Sequence, residues 1–240
     1  MEIEGKRVLI TGTARGLGRE LVTAFLRAEA EAGFAGVRDE RQFEELQAEG
    51  SRVTPVLLDV TNEEQVSNLA MLEPFDILVN NAGVASFGNP LTKNFDEIRT
   101  EMEVNYFGTL RVSRVVARKM IERRRGVIVN VATAFAKINL PMIGTYCASK
   151  AALLSLGQAL RAYLTDYGVK VITVMPTTID TDMSRGADVP KMTTGYVAGE
   201  IFSAIRDEQH DPPIGDEARG VLERLGQDPL GLEKFLMQYR

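Results

Sequence analysis

The sequence predicts an α/β fold: one domain in which a doubly wound parallel sheet of six or seven strands carries helices on both faces. Short runs rich in β-branched residues alternate with longer segments of helical periodicity along most of the 240 residues. The runs are nearly continuous in apolar residues, which is typical of strands covered on both faces of a parallel sheet. No internal repeat, low-complexity tract or linker rich in Pro, Gly and Ser interrupts this alternation.

The apolar runs give the predicted strands in chain order. They are Arg7 to Ile10, Phe34 to Val37, Val53 to Leu58, Ile77 to Val79, Val127 to Val131 and Val169 to Val174, with a further short strand near Pro213 and Ile214. Parallel neighbours need crossover connections, so we expect a helix between successive strands and right-handed crossovers.

Helical spacing fills the intervals between the strands. Leu17, Leu21, Phe25 and Ala28 indicate the first helix, and Phe43 to Ala48 indicates a weaker second one. Thr61 and Glu64 have the spacing of a capping box, which predicts that a third helix begins there. Further helices are predicted over Asp96 to Arg123, Thr145 to Tyr167, Val197 to Arg206 and Asp216 to Leu225, and a flexible loop over Thr177 to Thr194.

Composition and charge exclude several classes of function. With 28 Lys and Arg against 33 Asp and Glu, the formal net charge is −5, so no overall positive field attracts nucleic acid or an anionic membrane. One cysteine and one histidine make neither an internal disulfide nor an ordinary zinc site. No apolar run is long enough to span a bilayer, and the acidic start Met1 to Glu4 is unlike a signal peptide. We therefore expect a cytoplasmic protein with no metal site.

A glycine-rich segment follows the first predicted strand directly. It runs from Thr11 to Gly18, carries Gly12, Gly16 and Gly18, and leads into the first predicted helix. Glycine permits a tight turn and lets backbone N–H groups approach a phosphate without a Cβ in the way. The N-terminus of the helix adds partial positive charge. The segment therefore predicts the binding of a nucleotide diphosphate.

Further motifs follow this glycine loop along the chain. They are Asp59-Val60, Asn80-Asn81-Ala82-Gly83, Asn105, Tyr146-x-x-x-Lys150 and Pro176-x-x-Ile179-x-Thr181. Together with the G-x-x-x-G-x-G spacing of the loop, their order and separation resemble the classical short-chain dehydrogenase/reductase family over residues 5 to 183. The resemblance implies one Rossmann-like domain over residues 1–240, with the cofactor half mainly in 1–132 and the catalytic and substrate half in 133–240.

The resemblance also implies which residues hold a nicotinamide cofactor. In the family, the residues matching Asp59 and Val60 hold the adenine ring, and those matching Ile179 and Thr181 contact the nicotinamide carboxamide. The expected cofactor-binding residues are Gly12, Arg15, Gly16, Leu17, Gly18, Arg38, Asp59, Val60, Asn81, Ala82, Gly83, Tyr146, Lys150, Pro176, Ile179 and Thr181.

The residue after the second strand is expected to select between NADP(H) and NAD(H). Arg38 follows Val37, and its guanidinium can pair with the extra phosphate of NADP. Arg15 can approach the same phosphate from the glycine loop. A carboxylate would favour NAD(H) instead, and Asp39 would take the selecting position if the strand ended one residue later. We expect NADP(H), with NAD(H) as the alternative.

Tyr146 and Lys150 are the first two candidate catalytic residues. They stand four apart on a predicted helix, so their side chains share one face. A phenol has a pKa near 10 and exchanges protons poorly at neutral pH. A nearby ammonium favours the phenolate and so lowers the pKa of Tyr146. The same ammonium can donate to the ribose hydroxyls of the cofactor.

Thr133 and Asn105 complete the candidate catalytic group. The family has a serine thirteen residues before its tyrosine, and this chain has Thr133 there. A threonine hydroxyl can polarise a substrate carbonyl, although its methyl group crowds the pocket. Asn105 matches an asparagine that in relatives bends the long helix and supports a water relay to the lysine. Thr177 is a second departure, because relatives usually have glycine after the proline matching Pro176.

These motifs predict an NADP(H)-dependent oxidoreductase that interconverts a carbonyl and a secondary alcohol. Apolar residues in segments that border the substrate in relatives favour an apolar small-molecule substrate: Phe87, Ile138, Leu140, Pro141, Met142, Met183, Val189 and Met192. Two alternatives remain: a nucleotide-binding regulator whose reductase activity has decayed, and a partner-binding protein that takes no nucleotide. The family commonly forms homodimers or homotetramers through the two long helices, which implies the same assembly here.

Overall fold

The computed structural model describes residues 1–72 and 74–239. Its centre is a seven-stranded sheet in the order β3-β2-β1-β4-β5-β6-β7, with every neighbouring pair parallel. The strands are β1 (Arg7–Thr11), β2 (Ala32–Val37), β3 (Val53–Leu57), β4 (Ile77–Asn80), β5 (Gly126–Val131), β6 (Val169–Pro176) and β7 (Pro213–Ile214). The doubly wound α/β fold predicted from the apolar runs is confirmed.

The helices connect the strands and cover the sheet. They are α1 (Gly16–Arg27), α2 (Phe43–Gln47), α3 (Glu63–Asn68), α4 (Phe95–Met102), α5 (Thr109–Glu122), α6 (Gly144–Leu164), α7 (Thr194–Arg206), α8 (Gly215–Gln227) and α9 (Pro229–Leu236). No helix of the described residues is both long enough and apolar enough to cross a membrane.

Side chains alternate between the two faces of the sheet, and each face has its own core. Val8 and Ile10 of β1 pack in the cluster that also contains α1 and α7. Leu9, between them, packs in the opposite cluster with α3 and α5. Because both faces are buried, successive residues of such a strand are mostly apolar, which explains the nearly continuous apolar runs.

The order of the strands creates a crevice at the carboxyl ends of β1 and β4. After β1 the chain continues to β2 and β3 on one side, and then crosses over to β4 on the other side of β1. The loops that leave β1 and β4 therefore separate in opposite directions. Ligands of open α/β sheets bind at such a point.

The structure corrects four details of the prediction. The third helix is capped by Asn62, whose side chain accepts from the Gln65 N–H, whereas Thr61 donates to Asp59 Oδ1. The helix predicted over Asp96 to Arg123 is interrupted by a π-helical segment, Glu103–Gly108. The predicted loop from Thr177 to Thr194 contains a short helical turn at Asp182–Ser184, and helix α9 was not predicted at all.

Candidate active site

The glycine loop lies at the crevice and has no room for a side chain at its three glycine positions. Gly12 and Gly16 have φ of 70° and 58°, the left-handed region that favours glycine. A Cβ on Gly12 would lie 2.8 Å from Ala82 Cα, and one on Gly18 would lie 2.1 Å from the Gly12 carbonyl oxygen. The loop therefore presents bare main chain in front of α1, as a diphosphate group requires.

The segment after β4 is fixed against this loop by side chains. Thr11 Oγ1 accepts from the N–H groups of Asn81 and Ala82, each at 3.0 Å. Asn81 Nδ2 donates to the carbonyl oxygens of Thr11 and Gly12. The predicted residues Asn81, Ala82 and Gly12 are thus brought together, with Thr11 as a partner that the sequence did not single out.

Several other predicted cofactor residues have packing or turn roles in the structure. Leu17 and Val60 are buried in the hydrophobic core. Asp59 Oδ1 accepts from the N–H and the hydroxyl of Thr61, which closes the turn after β3. A Cβ on Gly16 would lie 3.1 Å from Thr181 Cγ2, so Thr181 lies over the glycine loop.

Arg38 and Arg15, the arginines predicted to select the cofactor, lie at the carboxyl edge of the sheet, as the glycine loop does. Strand β2 ends at Val37, so Arg38 is the next residue, and it is exposed. The Asp39 carboxylate is engaged by Arg41, whose Nε lies 2.8 Å from Oδ2. Hydrogen bonds from Arg41 hold the pKa of Asp39 below its usual value. Arg15 Nη1 lies 3.3 Å from Asp182 Oδ2.

A cavity lies between Gly16 of the glycine loop and the segment that follows β6. Its volume is about 400 Å³, and it is lined by Gly16, Asp180, Thr181, Asp182, Arg185 and Lys191. The carboxylate of Asp182 is shared between Arg15 and Arg185.

Tyr146 and Lys150 both lie in the first two turns of α6. Lys150 Nζ donates to the Val131 carbonyl oxygen at 2.8 Å and lies 5.8 Å from the centroid of the Tyr146 ring. Burial lowers the pKa of Lys150 to about 8. Burial also raises the pKa of Tyr146, with smaller contributions from Cys147 and Glu101.

The raised pKa of Tyr146 is opposite in direction to the sequence-based expectation. The phenol is desolvated, and desolvation disfavours its charged form. Lys150 is directed at the Val131 carbonyl oxygen and has lost part of its own preference for the charged state. Desolvation of the phenol is therefore the largest cause of the raised pKa of Tyr146.

Asn105 occupies the π-helical segment and is completely buried. Its Oδ1 accepts from the Val84 N–H, and its Nδ2 donates to the Val84 carbonyl oxygen, each at 2.9 Å. Nδ2 also donates to Ser149 Oγ at 2.8 Å, and that hydroxyl donates to the Tyr146 carbonyl oxygen. Asn105 thus joins the loop after β4 to the backbone of α6 beside Tyr146.

Thr133 follows β5 and is buried. Its hydroxyl donates to the Pro176 carbonyl oxygen at 2.9 Å and accepts from the Phe135 N–H at 3.3 Å. The hydroxyl proton is therefore committed to the backbone of β6. Thr177, the next departure from the family pattern, donates to Glu217 Oε2 of α8 at 2.7 Å.

The structure also contains a buried ionic cluster beside Tyr146 that sequence reasoning missed. Lys93 Nζ contacts Glu101 Oε1 at 2.8 Å and Thr145 Oγ1 at 2.5 Å. Lys93 and Glu101 are eight residues apart and lie on different elements. No spacing rule would have paired them.

A family model described as short chain dehydrogenase matches residues 6–190. The chain belongs to the short-chain dehydrogenase family. The match covers both the glycine loop and the Tyr146-x-x-x-Lys150 motif, so the recognition made from these motifs is confirmed.

Curated members of the family include reductases and dehydrogenases. The chain is 33% identical to a D-erythrulose reductase of Gallus gallus, over 77% of this chain and 76% of the relative. It is 32% identical to a 1-deoxy-11-beta-hydroxypentalenate dehydrogenase of Streptomyces exfoliatus, over 87% of this chain and 82% of the relative.

Solved structures of similar short-chain dehydrogenases contain either nicotinamide cofactor. One from Burkholderia cenocepacia J2315, in complex with NADP, is 35% identical and superposes with a TM-score of 0.93 over 98% of this chain and 99% of that chain. A 3-oxoacyl-[acyl-carrier protein] reductase from Brucella melitensis with bound NAD is 25% identical, with a TM-score of 0.80 over 89% of this chain and 92% of that chain.

Proposed function

We propose that this short-chain dehydrogenase is an NADP(H)-dependent oxidoreductase that interconverts a carbonyl and a secondary alcohol. The observation that supports it best is the position of the Tyr146–Lys150 pair. A Cβ placed on Gly83, in the loop after β4, would lie 3.3 Å from Lys150 Nζ and 3.2 Å from Asn105 Oδ1. The Tyr146–Lys150 pair therefore lies at the same edge of the sheet as the glycine loop, because Asn81 joins that loop to the segment after β4.

In the proposed reaction each polar side chain of the site has a defined role. A nicotinamide cofactor, when bound, supplies or accepts the hydride. Tyr146 donates the proton to the carbonyl oxygen, or removes it from the alcohol. Lys150 favours the phenolate by its charge and holds the ribose hydroxyls. Thr133 orients the substrate oxygen once its hydroxyl turns away from Pro176, and Asn105 holds the loop after β4 against α6.

NADP(H) is the proposed cofactor because of the charge around the adenosine end of the site. Arg38 is exposed immediately after β2, and the carboxylate of the next residue, Asp39, is bound by Arg41. A guanidinium in this position can form a bidentate pair with a phosphate. The NADP in the Burkholderia cenocepacia relative supports the same choice.

The cofactor preference is tested by titrating the protein with NADPH and with NADH. Arg38→Ala should weaken NADPH binding by about 10- to 100-fold, because it removes a charge-assisted pair, and should leave NADH binding within about twofold. Arg118→Ala, an exposed arginine of α5, is the matched control. Equal weakening of both cofactors by Arg38→Ala would contradict this role.

The reaction is tested by mixing the protein and NADPH with a panel of aldehydes and ketones, apolar members included. Loss of the absorbance of reduced cofactor reports turnover. Tyr146→Phe should abolish turnover while NADPH binding remains. Full turnover in Tyr146→Phe would refute the proposed role of the phenol.

A second candidate function is a nucleotide-binding regulator without reductase activity. The hydrogen bond from Thr133 to Pro176 favours it, because the hydroxyl expected to polarise a substrate is already engaged. Cofactor binding without turnover across a broad panel would support this reading. If neither cofactor raised the melting temperature, a partner-binding role without nucleotide would be supported.

We also propose a homodimer or homotetramer formed through the long helices. Phe107 of the π-helical segment, Tyr163 of α6 and the following Tyr167 are large side chains that remain exposed. Light scattering on the purified protein measures the assembly directly. The cytoplasmic location stays a prediction.

A further inference from the structure

The buried cluster beside Tyr146 contains one ion pair that is withdrawn from solvent. Lys93 and Glu101 have side chains only 1% exposed each, with Nζ and Oε1 2.8 Å apart. Among the ion pairs of the described residues, it is the only one in which both side chains are fully buried. A buried ion pair is a weak source of stability, because desolvation offsets the attraction. Stability alone therefore does not account for it.

The cluster connects two segments that border the proposed active site. Lys93 Nζ donates to the Ser86 carbonyl oxygen at 2.9 Å and to Thr145 Oγ1 at 2.5 Å. Glu101 Oε1 accepts from the N–H and the hydroxyl of Ser86. Ser86 lies in the loop after β4, and Thr145 directly precedes Tyr146 on α6. The pair thus ties the loop to the first turn of that helix.

The carboxylate is also close enough to influence the phenol. Burial opposes ionisation of Glu101, but hydrogen bonds from Lys93 and Ser86 keep its pKa below the usual value, so the group is charged. Its second oxygen, Oε2, is buried without a partner among the described residues. The negative charge raises the pKa of Tyr146, after burial and Cys147.

Lys150 and Cys147 of its own helix and Glu101 of α4 are the ionisable groups that act on the phenol. Lys93, in the loop before α4, contacts Glu101 and Thr145, the residue before Tyr146. Cys147 is a buried thiol, and burial raises its pKa. The Lys93–Glu101 pair therefore contributes one charge of each sign from outside α6.

We propose that the Lys93–Glu101 pair is a positioning element of the active site, which fixes the Ser86 loop to the start of α6 and balances the charge beside Tyr146. This inference rests on the proposed function of Tyr146 as the proton donor. If the balance is broken, the remaining charge shifts the proton affinity of the phenol. Glu101 without Lys93 favours the neutral phenol, and Lys93 without Glu101 favours the phenolate.

The test compares Lys93→Met, Glu101→Gln and the double variant. Ring-fluorinated tyrosine is incorporated into each protein, and the ¹⁹F resonance of residue 146, identified by its absence in Tyr146→Phe, is followed against pH. We expect the pKa of that phenol to rise by about 0.5 to 1 unit in Lys93→Met and to fall by a similar amount in Glu101→Gln. The double variant should return close to the wild-type value.

Asp96→Asn is the matched control. It removes a carboxylate from an exposed ion pair with Arg99 on the same helix, so the phenol should not respond. Shifts of the same sign in both single variants, or no shift in either, would overturn the inference. If Lys93→Met does not fold, the isosteric Glu101→Gln and the neutral double variant decide between the same outcomes.

Carbonyl reduction is measured separately from this titration. For a carbonyl reduced by the wild-type protein, the pH profile of kcat/KM should move in the same direction as the ¹⁹F titration. If the pKa of Tyr146 moves in opposite directions in the two single variants but the protein reduces no carbonyl, the charge balance is supported and the proposed reaction is rejected. If the protein reduces a carbonyl but the pKa of Tyr146 changes in neither single variant, the charge balance is rejected and the proposed reaction is retained.

Discussion

The Lys150 ammonium donates to the Val131 carbonyl oxygen at 2.8 Å and is buried at the end of β5. Burial lowers the pKa of this lysine from 10.5 to about 8. Below pH 8 the protein therefore holds a charge that water would solvate better. An amine kept in this state destabilises the folded chain, and the proposed chemistry gives a reason to retain it.

Lys150→Met should therefore stabilise the free protein while abolishing turnover. The unfolded lysine binds its proton more tightly than the folded one, so between pH 8 and 10.5 the wild-type free energy of unfolding rises with pH. Below that window the variant should gain about 1 to 3 kcal/mol. Denaturant unfolding at several pH values measures the difference.

The controls for this prediction are Lys137→Met and the pH dependence itself. Lys137 is exposed, and its replacement should change the free energy of unfolding by less than about 0.5 kcal/mol. The gap between Lys150→Met and wild type should narrow as pH rises above 8. A variant that is less stable than wild type at neutral pH would refute the prediction.

The rate of carbonyl reduction should fall as pH rises through about 8, the pKa of Lys150. The ammonium is the active form of Lys150. The phenol of Tyr146 keeps its proton to higher pH than an ordinary tyrosine, because burial raises its pKa. Lys150→Arg should move the fall to higher pH, since a guanidinium does not lose its proton in this range. A wild-type rate that is flat through pH 8, or an unchanged midpoint in Lys150→Arg, would count against this assignment.

Substitution of Thr133 separates its two possible roles. Thr133→Val removes the hydroxyl bonded to the Pro176 carbonyl oxygen and should destabilise the fold by about 1 kcal/mol. If the hydroxyl also polarises the substrate, kcat/KM should fall by about 100-fold or more. Thr133→Ser keeps the hydroxyl and should retain most of the activity. A fall of only a few-fold in Thr133→Val would mean that the residue is structural.

Gly18→Ala should remove cofactor binding and destabilise the protein. Its Cβ would lie 2.1 Å from the Gly12 carbonyl oxygen, which is backbone and cannot move cheaply. Gly220→Ala in α8 is the control, since no atom lies within 4 Å of the added Cβ, and it should gain about 0.5 to 1 kcal/mol. Calorimetric titration with NADPH and thermal unfolding measure both effects. Normal NADPH binding by Gly18→Ala would disprove the close approach at the loop.

Much of the fold was predictable because local composition decides it. All six strands β1 to β6 fall within about two residues of the predicted bounds. Except for the edge strand β3, they are buried along most of their length, so they show nearly continuous apolar runs. Asn62 was missed as a cap because the neighbouring Thr61 has equally suitable chemistry. Helix α9 was missed because it spans only eight residues, Pro229–Leu236, too few for a clear period.

The candidate site was predictable in its residues and less so in its contacts. The spacing of Tyr146 and Lys150 on one helix face follows from helical geometry. The hydrogen bond of Thr133 to Pro176 depends on how β5 meets β6, and the pairing of Lys93 with Glu101 depends on the path of the loop after β4. Neither relationship has a signature in a single sequence. The direction of the pKa shift of Tyr146 was missed for the same reason, since burial is a tertiary property.

The pairing of β1 with β4 also bears on how the chain is synthesised. Val8 pairs with Ile77, so one side of β1 has no hydrogen-bonding partner until β4 has left the ribosome. Until then the sheet of the nascent chain contains only β3, β2 and β1. Strand β1, which is apolar and buried in the folded protein, then lies at an open edge. Fragments that stop before Ile77 should therefore aggregate, whereas fragments that extend past Asn80 should protect the amides of β1 from exchange.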